Sequence, residues 1–510
     1  MIRKLFSRRA ARVLCWILVT LVTLVVLLFV WTNWSGKRRW AATKAMIEKE
    51  GETLDFRSLL PPAPPESQNL LAIKPLQGLA HVVDGDASKG EPGAKRAALA
   101  AMKWEGVAPS GSGVTVGKAS EIQAWQKFLS ESKFLELPAS SPTPGRDVLA
   151  ALDAKFPVLK QLADEAPRRP KAMFTPALSE RELPDMLFSL SMAHYTGAQN
   201  LARLLNLRGR AAVDAKNGAE SVNSIIAAHR IAQACEQEPL LIGLLIGIAI
   251  EAQASEVLWL GLRDRVFTEA ELRALQELYT GADAAKALHH AMRGELAAGM
   301  DTLEYMQDVA AGRKRIEKPL GADGTDLNSA AYGLLPSGLF DHWKSVVGEI
   351  EVKHLILPLK QGIPAAVRAA TALEQEMMNH HNLLRHPDWV MVRLMVPAMR
   401  KVSLNAWQTA ARNHQALTAI ALERFFASKG RYPATLTELV PEFLPAVPAD
   451  PCDGQPMRYR TTPGGRFVLW SVGLDGKDDA GKVTVDEKSS AKLNKPDYLG
   501  DWTWQYEPVK

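Results

Sequence analysis

Hydrophobic and polar positions divide the chain into four stretches, and the first is the sharpest. From Val13 to Trp31 no charge occurs, and Trp16, Trp31 and Trp34 bracket the run. About 19 residues at about 1.5 Å each span roughly 28 Å, the thickness of a bilayer's hydrocarbon core, so a transmembrane helix is predicted here. The run is too long for the apolar part of a cleaved signal peptide, and Trp31-Thr32-Asn33-Trp34 offers no small-x-small cleavage site. Cys15 follows Leu14 and lies inside the run, so it is not a lipidation cysteine. Residues 1–36 thus read as a cytoplasmic tip and an anchor crossing the bilayer through residues 13–34.

Residues 37–118 read as a spacer and a mixed loop region. Trp40 to Glu50 continues as a polar helix, and Leu60-Pro61-Pro62-Ala63-Pro64-Pro65 then favours an extended polyproline segment. The stretch Ser112 to Ala119 is not a phosphate-binding loop. Its first glycine, Gly111, is one place off, and Ala119 stands where a magnesium-binding hydroxyl belongs.

Residues 119–400 carry helical periodicity and read as a helical body. Leu183, Met186, Leu187, Leu190, Met192 and His194 keep one apolar side, continued by Leu201, Leu204 and Leu205. Val222, Ile225, Ile226, His229 and Ala232 mark the next helix, which stops before Pro239. Leu240 to Ile250 is nearly all apolar but bounded by Pro239 and Glu251, too short to cross a bilayer, and predicts a buried central helix. Gly243 and Gly247 would admit a close neighbour along it. Ala282 to Ala311 is a further helix. Residues 337–400 read as a return helix interrupted at Pro358, Pro364, Pro387 and Pro397.

Residues 401–510 read as a small α+β module. A helix from Ser403 to Lys429, with Trp407, Ala410, His414, Leu417, Ala421 and Phe425 on one side, stops at Gly430. Strand-like runs follow at Met457–Thr461 and Phe467–Val472, leading to the acidic turn Asp475-Gly476-Lys477-Asp478-Asp479. The fold class is therefore mainly α, ending in an α+β unit. Gly430-Arg431-Tyr432-Pro433, Pro448-x-Asp450-Pro451, Gly454, Tyr459 and Ser471-x-Gly473-x-Asp475-Gly476 resemble, in order and spacing, the soluble part of the major pseudopilin of type II secretion systems. The chain departs from that family in lacking its processing site and in separating the anchor from the module. The whole chain is also similar to membrane-anchored bacterial envelope proteins. That likeness rests on Leu60-Pro61-Pro62-Ala63-Pro64 with Asn69, Glu238-Pro239-Leu240-Leu241-Ile242, and the ending Gly500-Asp501-Trp502-Thr503-Trp504.

These resemblances imply a single-pass protein of the cytoplasmic (inner) membrane, N-terminus inside, with the body periplasmic or otherwise extracytoplasmic. Basic residues on both sides of the span, Arg3, Lys4, Arg8, Arg9 and Arg12 before it and Lys37, Arg38, Arg39 and Lys44 after it, favour that orientation only by a small margin. The same clusters account for much of the net charge of +5, and no basic patch elsewhere marks a nucleic-acid partner. Hydrophobic content of 47% and charged content of 23% belong to an ordinary globular body. Three cysteines are too few for a disulfide framework, and Cys235 and Cys452 read as free thiols.

Chemistry is sparse. Pseudopilin modules bind calcium near their acidic loop, and the resemblance carries that role to Asp475, Asp478 and Asp479, oxygen ligands suited to a hard cation. Otherwise the turn is a solvated loop. His380, His381 and His386, with Glu374 and Glu376, form the densest histidine cluster, and Glu376 and His380 share a helix face. His194 and His229 read as hydrogen-bonded core histidines. No nucleophile elbow, zinc-protease helix or dinucleotide fingerprint occurs. The residues favour an envelope scaffold or interaction protein. An accessory part of a secretion or pilus-type machine and a metal-dependent enzyme are the alternatives.

Overall fold

A computed structural model describes residues 8–77, 113–180, 192–314, 335–379, 389–395, 399–483 and 500–508, with a few isolated positions between them. It is mainly helical, with one small antiparallel sheet near the C-terminus. The N-terminal helix α1 runs unbroken from Arg8 to Lys49. Apart from half-buried Phe29, its large apolar side chains from Val13 to Trp31 and Trp34 are exposed, whereas Ile47 is fully buried. One continuous helix is therefore bare along its first part and built into the protein at its end.

The helices that follow are α2 (Ile122–Glu131), α3 (Pro144–Lys155), α4 (Pro157–Glu165), α5 (Ala193–Asp214), α6 (Gly218–Glu236), α7 (Leu241–Arg263) and α8 (Glu269–Thr280). Then come α9 (Ala284–Ala310), α10 (Ser337–Glu351), α11 (Ile363–Asn379), α12 (Trp389–Met395) and α13 (Met399–Lys429). Local chemistry sets many of their starts. Pro144 and Pro157 occupy first-turn positions, where a missing N–H costs nothing. Thr268 and Glu271 form a reciprocal capping box on α8, and Asp283 caps α9 by accepting from the Lys286 amide. The α7 start has no local cap; Glu295 of α9 accepts from the Leu241 amide instead, at 2.9 Å.

Two readings from the periodicity change. The helix through His194 starts only at Ala193, and most of residues 181–191 lie outside the described residues. The helix after Pro239 does not end at Glu251 but continues to Arg263. At that length α7 would pass as a membrane span, yet most of it is buried among other helices. Gly243 and Gly247 both press on α6, facing the Cys235 carbonyl and the Glu236 side chain.

The core falls into two clusters. One gathers α2 to α8, the end of α13 from Ala416 to Phe425, and the sheet. The other gathers Ile47 of α1, α9 to α12, and the start of α13 from Met399 to Ala411. Helices α7 and α13 belong to both, with Leu244 of α7 on one side and Ile246 to Leu262 on the other. This sharing explains why α13 is buried on nearly every face rather than on the single side its apolar residues suggest.

The sheet order is β1 (Arg458–Thr461), β2 (Phe467–Ser471), β3 (Trp502–Gln505), antiparallel throughout. Leu469 pairs with Tyr459 on one side and Trp504 on the other. Strand β3 adds to the two strand-like runs of the sequence; its Trp-Thr-Trp alternation is β-like, but residues 484–499 separate it from β2. Trp504 is fully buried in the first core cluster, and Trp502 joins the second. The sheet therefore has no core of its own. Trp259 of α7 donates to the Gln505 carbonyl at 2.9 Å, and Gln415 of α13 donates to that of Trp502 at 2.5 Å.

Helix α1 is mounted on α10. Gly36 and Gly338 let the backbones meet: a Cβ at Gly338 would lie 2.3 Å from the Thr32 carbonyl oxygen. Asn33 Oδ1 accepts from the Gly338 amide at 2.7 Å and from the Ser337 hydroxyl, capping α10 from a different helix. Thr43 donates to Glu349 at 2.9 Å. Just past the helix, buried Glu52 meets Arg293 at 2.6 Å and lies near Lys360 and His289. Burial opposes its ionisation, but His289 and Arg293 outweigh burial and hold the carboxyl below its usual range.

Candidate functional site

A cavity of about 440 Å³ opens at the seam between the two core clusters. It lies among α6, α7, α9 and α13, with Pro61 of the proline-rich segment in its wall. That segment is held in place, since the Pro61 carbonyl accepts from Ser179 at 3.1 Å. Nearby Asn69 joins residues 171–173 by bonding both the amide and the carbonyl of Met173 at 2.9 Å. Two stretches singled out in the sequence, around Leu60 and around Glu238, thus border one hollow.

The cavity's polar groups are ordered by their hydrogen bonds. Arg230 donates to Gln233 Oε1 at 2.8 Å, which turns the Gln233 amide nitrogen toward His229 Nε2, at 3.1 Å. His229 Nδ1 lies against Glu251 Oε1, a close contact without hydrogen-bond geometry. No described donor reaches Glu251 Oε2, although this side chain is only 6% exposed and lines the cavity. Glu236 lies over Gly247, where a Cβ would come 2.5 Å from its Cγ. Burial, reinforced by the charge of Glu251, pushes the Glu236 carboxyl up to about 8. His290 donates to the Gln237 carbonyl at 3.1 Å, and burial holds its pKa below the ordinary value. Lys286 and Asp283 are exposed at the rim. The arrangement can accept hydrogen bonds from a ligand and exchange a proton near neutral pH.

A second cavity of about 260 Å³ shares Ile248 and Thr409 in its wall and contains Arg412 and Glu256. Burial lowers the Arg412 pKa, with Glu256 and Tyr279 acting the other way.

The acidic turn is distributed differently. Asp478 accepts from Trp470 Nε1 at 2.8 Å and from Arg458 at 3.3 Å, while Asp475 accepts from the Lys477 amide at 3.1 Å. Asp479 and Asp478 lie near Asp501, whose carboxyl is pushed up to about 6 by burial and then by those two charges. Among the described residues no three His, Cys, Asp or Glu side chains are arranged to hold a metal ion. In this arrangement Arg458 supplies positive charge to Asp478. His380, His381 and His386 lie outside the described residues; Glu374 and Glu376 are on α11, Glu374 within 3.8 Å of Arg400.

Other singled-out residues have structural partners. His194 and Tyr195 both bond Glu238, at 3.0 and 2.6 Å. Asp450 is fully buried and accepts from the Cys452 and Val472 amides, Ser471 and Arg458, tying the loop to the end of β2. Burial, aided by neighbouring carboxylates, raises both the Cys235 and Cys452 thiols, so neither is a ready thiolate. The turn at Gly113–Val116 serves the sheet: the Thr115 carbonyl accepts from Thr503 and Gln505.

Glu251 and Glu236 escaped notice in the sequence as a pair. The available signal was a carboxylate within a long apolar helix, visible only if α7 is followed beyond Glu251. Comparison with protein-family models finds no match, and neither curated proteins nor solved structures yield one.

Proposed function

We propose that this chain is a single-pass, membrane-anchored scaffold or interaction protein of the cell envelope, with its N-terminus inside and its body outside the cytoplasm. The observation that supports the reading is the continuity of α1, whose exposed apolar part passes directly into a part bonded to α10. Such a helix holds the body at the bilayer face in a fixed attitude, as suits a protein that presents a surface to partners. Carbonate extraction of membranes, together with a C-terminal reporter active only outside the cytoplasm, tests it. Release by carbonate, or reporter activity confined to the cytoplasm, would refute the reading.

A second reading, an accessory component of a type II secretion or pilus-type machine, draws support from α13 followed by the pinned Asp450 loop and the antiparallel sheet. Crosslinking in cells followed by identification of the partners distinguishes the two. Calcium at Asp475, Asp478 and Asp479 belongs with this second reading and requires Asp478 to leave Arg458. Thermal melts in chelator and in calcium test it: a calcium-dependent rise that Asp475→Ala abolishes supports binding, and superimposable melts exclude it.

A further inference from the structure

We propose that the seam cavity is a binding site for a small organic cation, an alkyl or aralkyl ammonium, received between Glu251 and Glu236. This goes beyond the anchoring reading and does not depend on it.

The geometry calls for a donor that carries positive charge. Glu251 is a buried carboxylate with one oxygen against His229 Nδ1 and the other without a donor among the described residues, facing the cavity that Glu236 also lines. Burying such a carboxylate unpaired is strongly unfavourable unless something cationic meets it. The charged groups facing it do not serve. Lys286 of α9 is exposed at the rim, Arg230 of α6 is not in the cavity wall and donates to Gln233, and Arg412 of α13 lines the neighbouring cavity. Asn413 of α13 and His290 of α9 complete the polar wall without adding charge, since the hydrogen bond of His290 and its lowered pKa keep it neutral. An ammonium has three N–H donors, enough for Glu251 Oε2 and the Glu236 carboxyl together. Leu244, Ile248 and Pro61 supply the apolar wall for its hydrocarbon part. The volume lies within the range of small-molecule sites. Gly247 is part of the device, because a side chain there would displace Glu236.

The test uses the full-length protein in detergent, with n-butylammonium as the probe and n-butanol as its neutral counterpart. Isothermal titration at pH 7.5 should show saturable binding of the amine, with Kd below about 10 mM, and none of the alcohol. Glu251→Gln should weaken amine binding by about tenfold or more, and Gly247→Ala should also weaken it while leaving the circular dichroism spectrum unchanged. If Glu251→Gln fails to fold, Glu236→Gln decides by the same criterion. Absence of saturable binding to the wild-type protein, equal binding of amine and alcohol, or an unchanged Kd in the folded carboxamide variant would overturn the proposal.

Discussion

Glu351 closes α10 with its carboxyl buried near Glu295, one oxygen lacking a described donor. Burial first, and then the Glu295 charge, push its pKa up to about 8 from 4.5. A raised carboxyl pKa means that folding takes up a proton wherever the unfolded group is ionised. The stability from this site is therefore complete below about 4.5 and is lost as pH rises toward about 8. Glu351→Gln keeps the shape without the ionisation, so melts of the variant should lose part of the decline between pH 5 and 8 and exceed the wild type at the upper end. A pH profile parallel to the wild type would contradict this. Arg208 offers the converse case. Fully buried, it meets Asp153 through two nitrogens at 3.1 and 3.2 Å and Glu220 through a third. Arg208→Ala strands two carboxylates and should cost about 3–5 kcal/mol in denaturant unfolding, and Arg208→Lys most of that, since a lysine cannot reproduce the planar fork.

At the scale of elements, the crossing of α1 on α10 depends on Gly338 having no side chain and on Asn33 serving as a cap. Gly338→Val places carbon against the Thr32 carbonyl and should destabilise the body by about 2 kcal/mol, lowering its melting temperature. Asn33→Ala should cost about 1 kcal/mol by leaving the first α10 amides without their acceptor. Truncation before Trp31 should leave the melt unchanged, whereas truncation through Lys49 removes Ile47 from the core and should lower it sharply. The existence of most helices was legible in the chain because period and caps agree, as at Thr268–Glu271. Their limits were less so. The residues from Val352 to Ile356 form a π-helical turn ahead of Pro358, which lets the helical path run on to Leu359, so the proline does not interrupt it as predicted. The path breaks instead at Gly362, with φ of +104°, ahead of Pro364 at the start of α11. The candidate site was hidden for a related reason. Its carboxylates are ordinary surface residue types by sequence, and only tertiary packing of α6 on α7 takes them out of water.

Over the whole molecule, the C-terminal sheet and the helical body share one interior. Phe467, Trp504 and Tyr506 pack in the same cluster as Trp259 and Leu205, so the sheet should not unfold separately. Trp504→Ala should cost about 3–5 kcal/mol and lower a single melting transition read at both helical and aromatic wavelengths. Two transitions, with the earlier confined to the aromatic signal, would show that the sheet is an autonomous unit.

The unbroken course of α1 also has a mechanical meaning. A transmembrane segment longer than the local hydrocarbon thickness tilts, and one shorter than it thins the bilayer around it. Because α1 has no hinge between its bare part and its bonded part, the body would lean with it. If α1 crosses a bilayer as proposed, the same protein in thin and in thick bilayers would present its seam cavity at different angles to the membrane plane, and lipid chain length would bear on what can reach it.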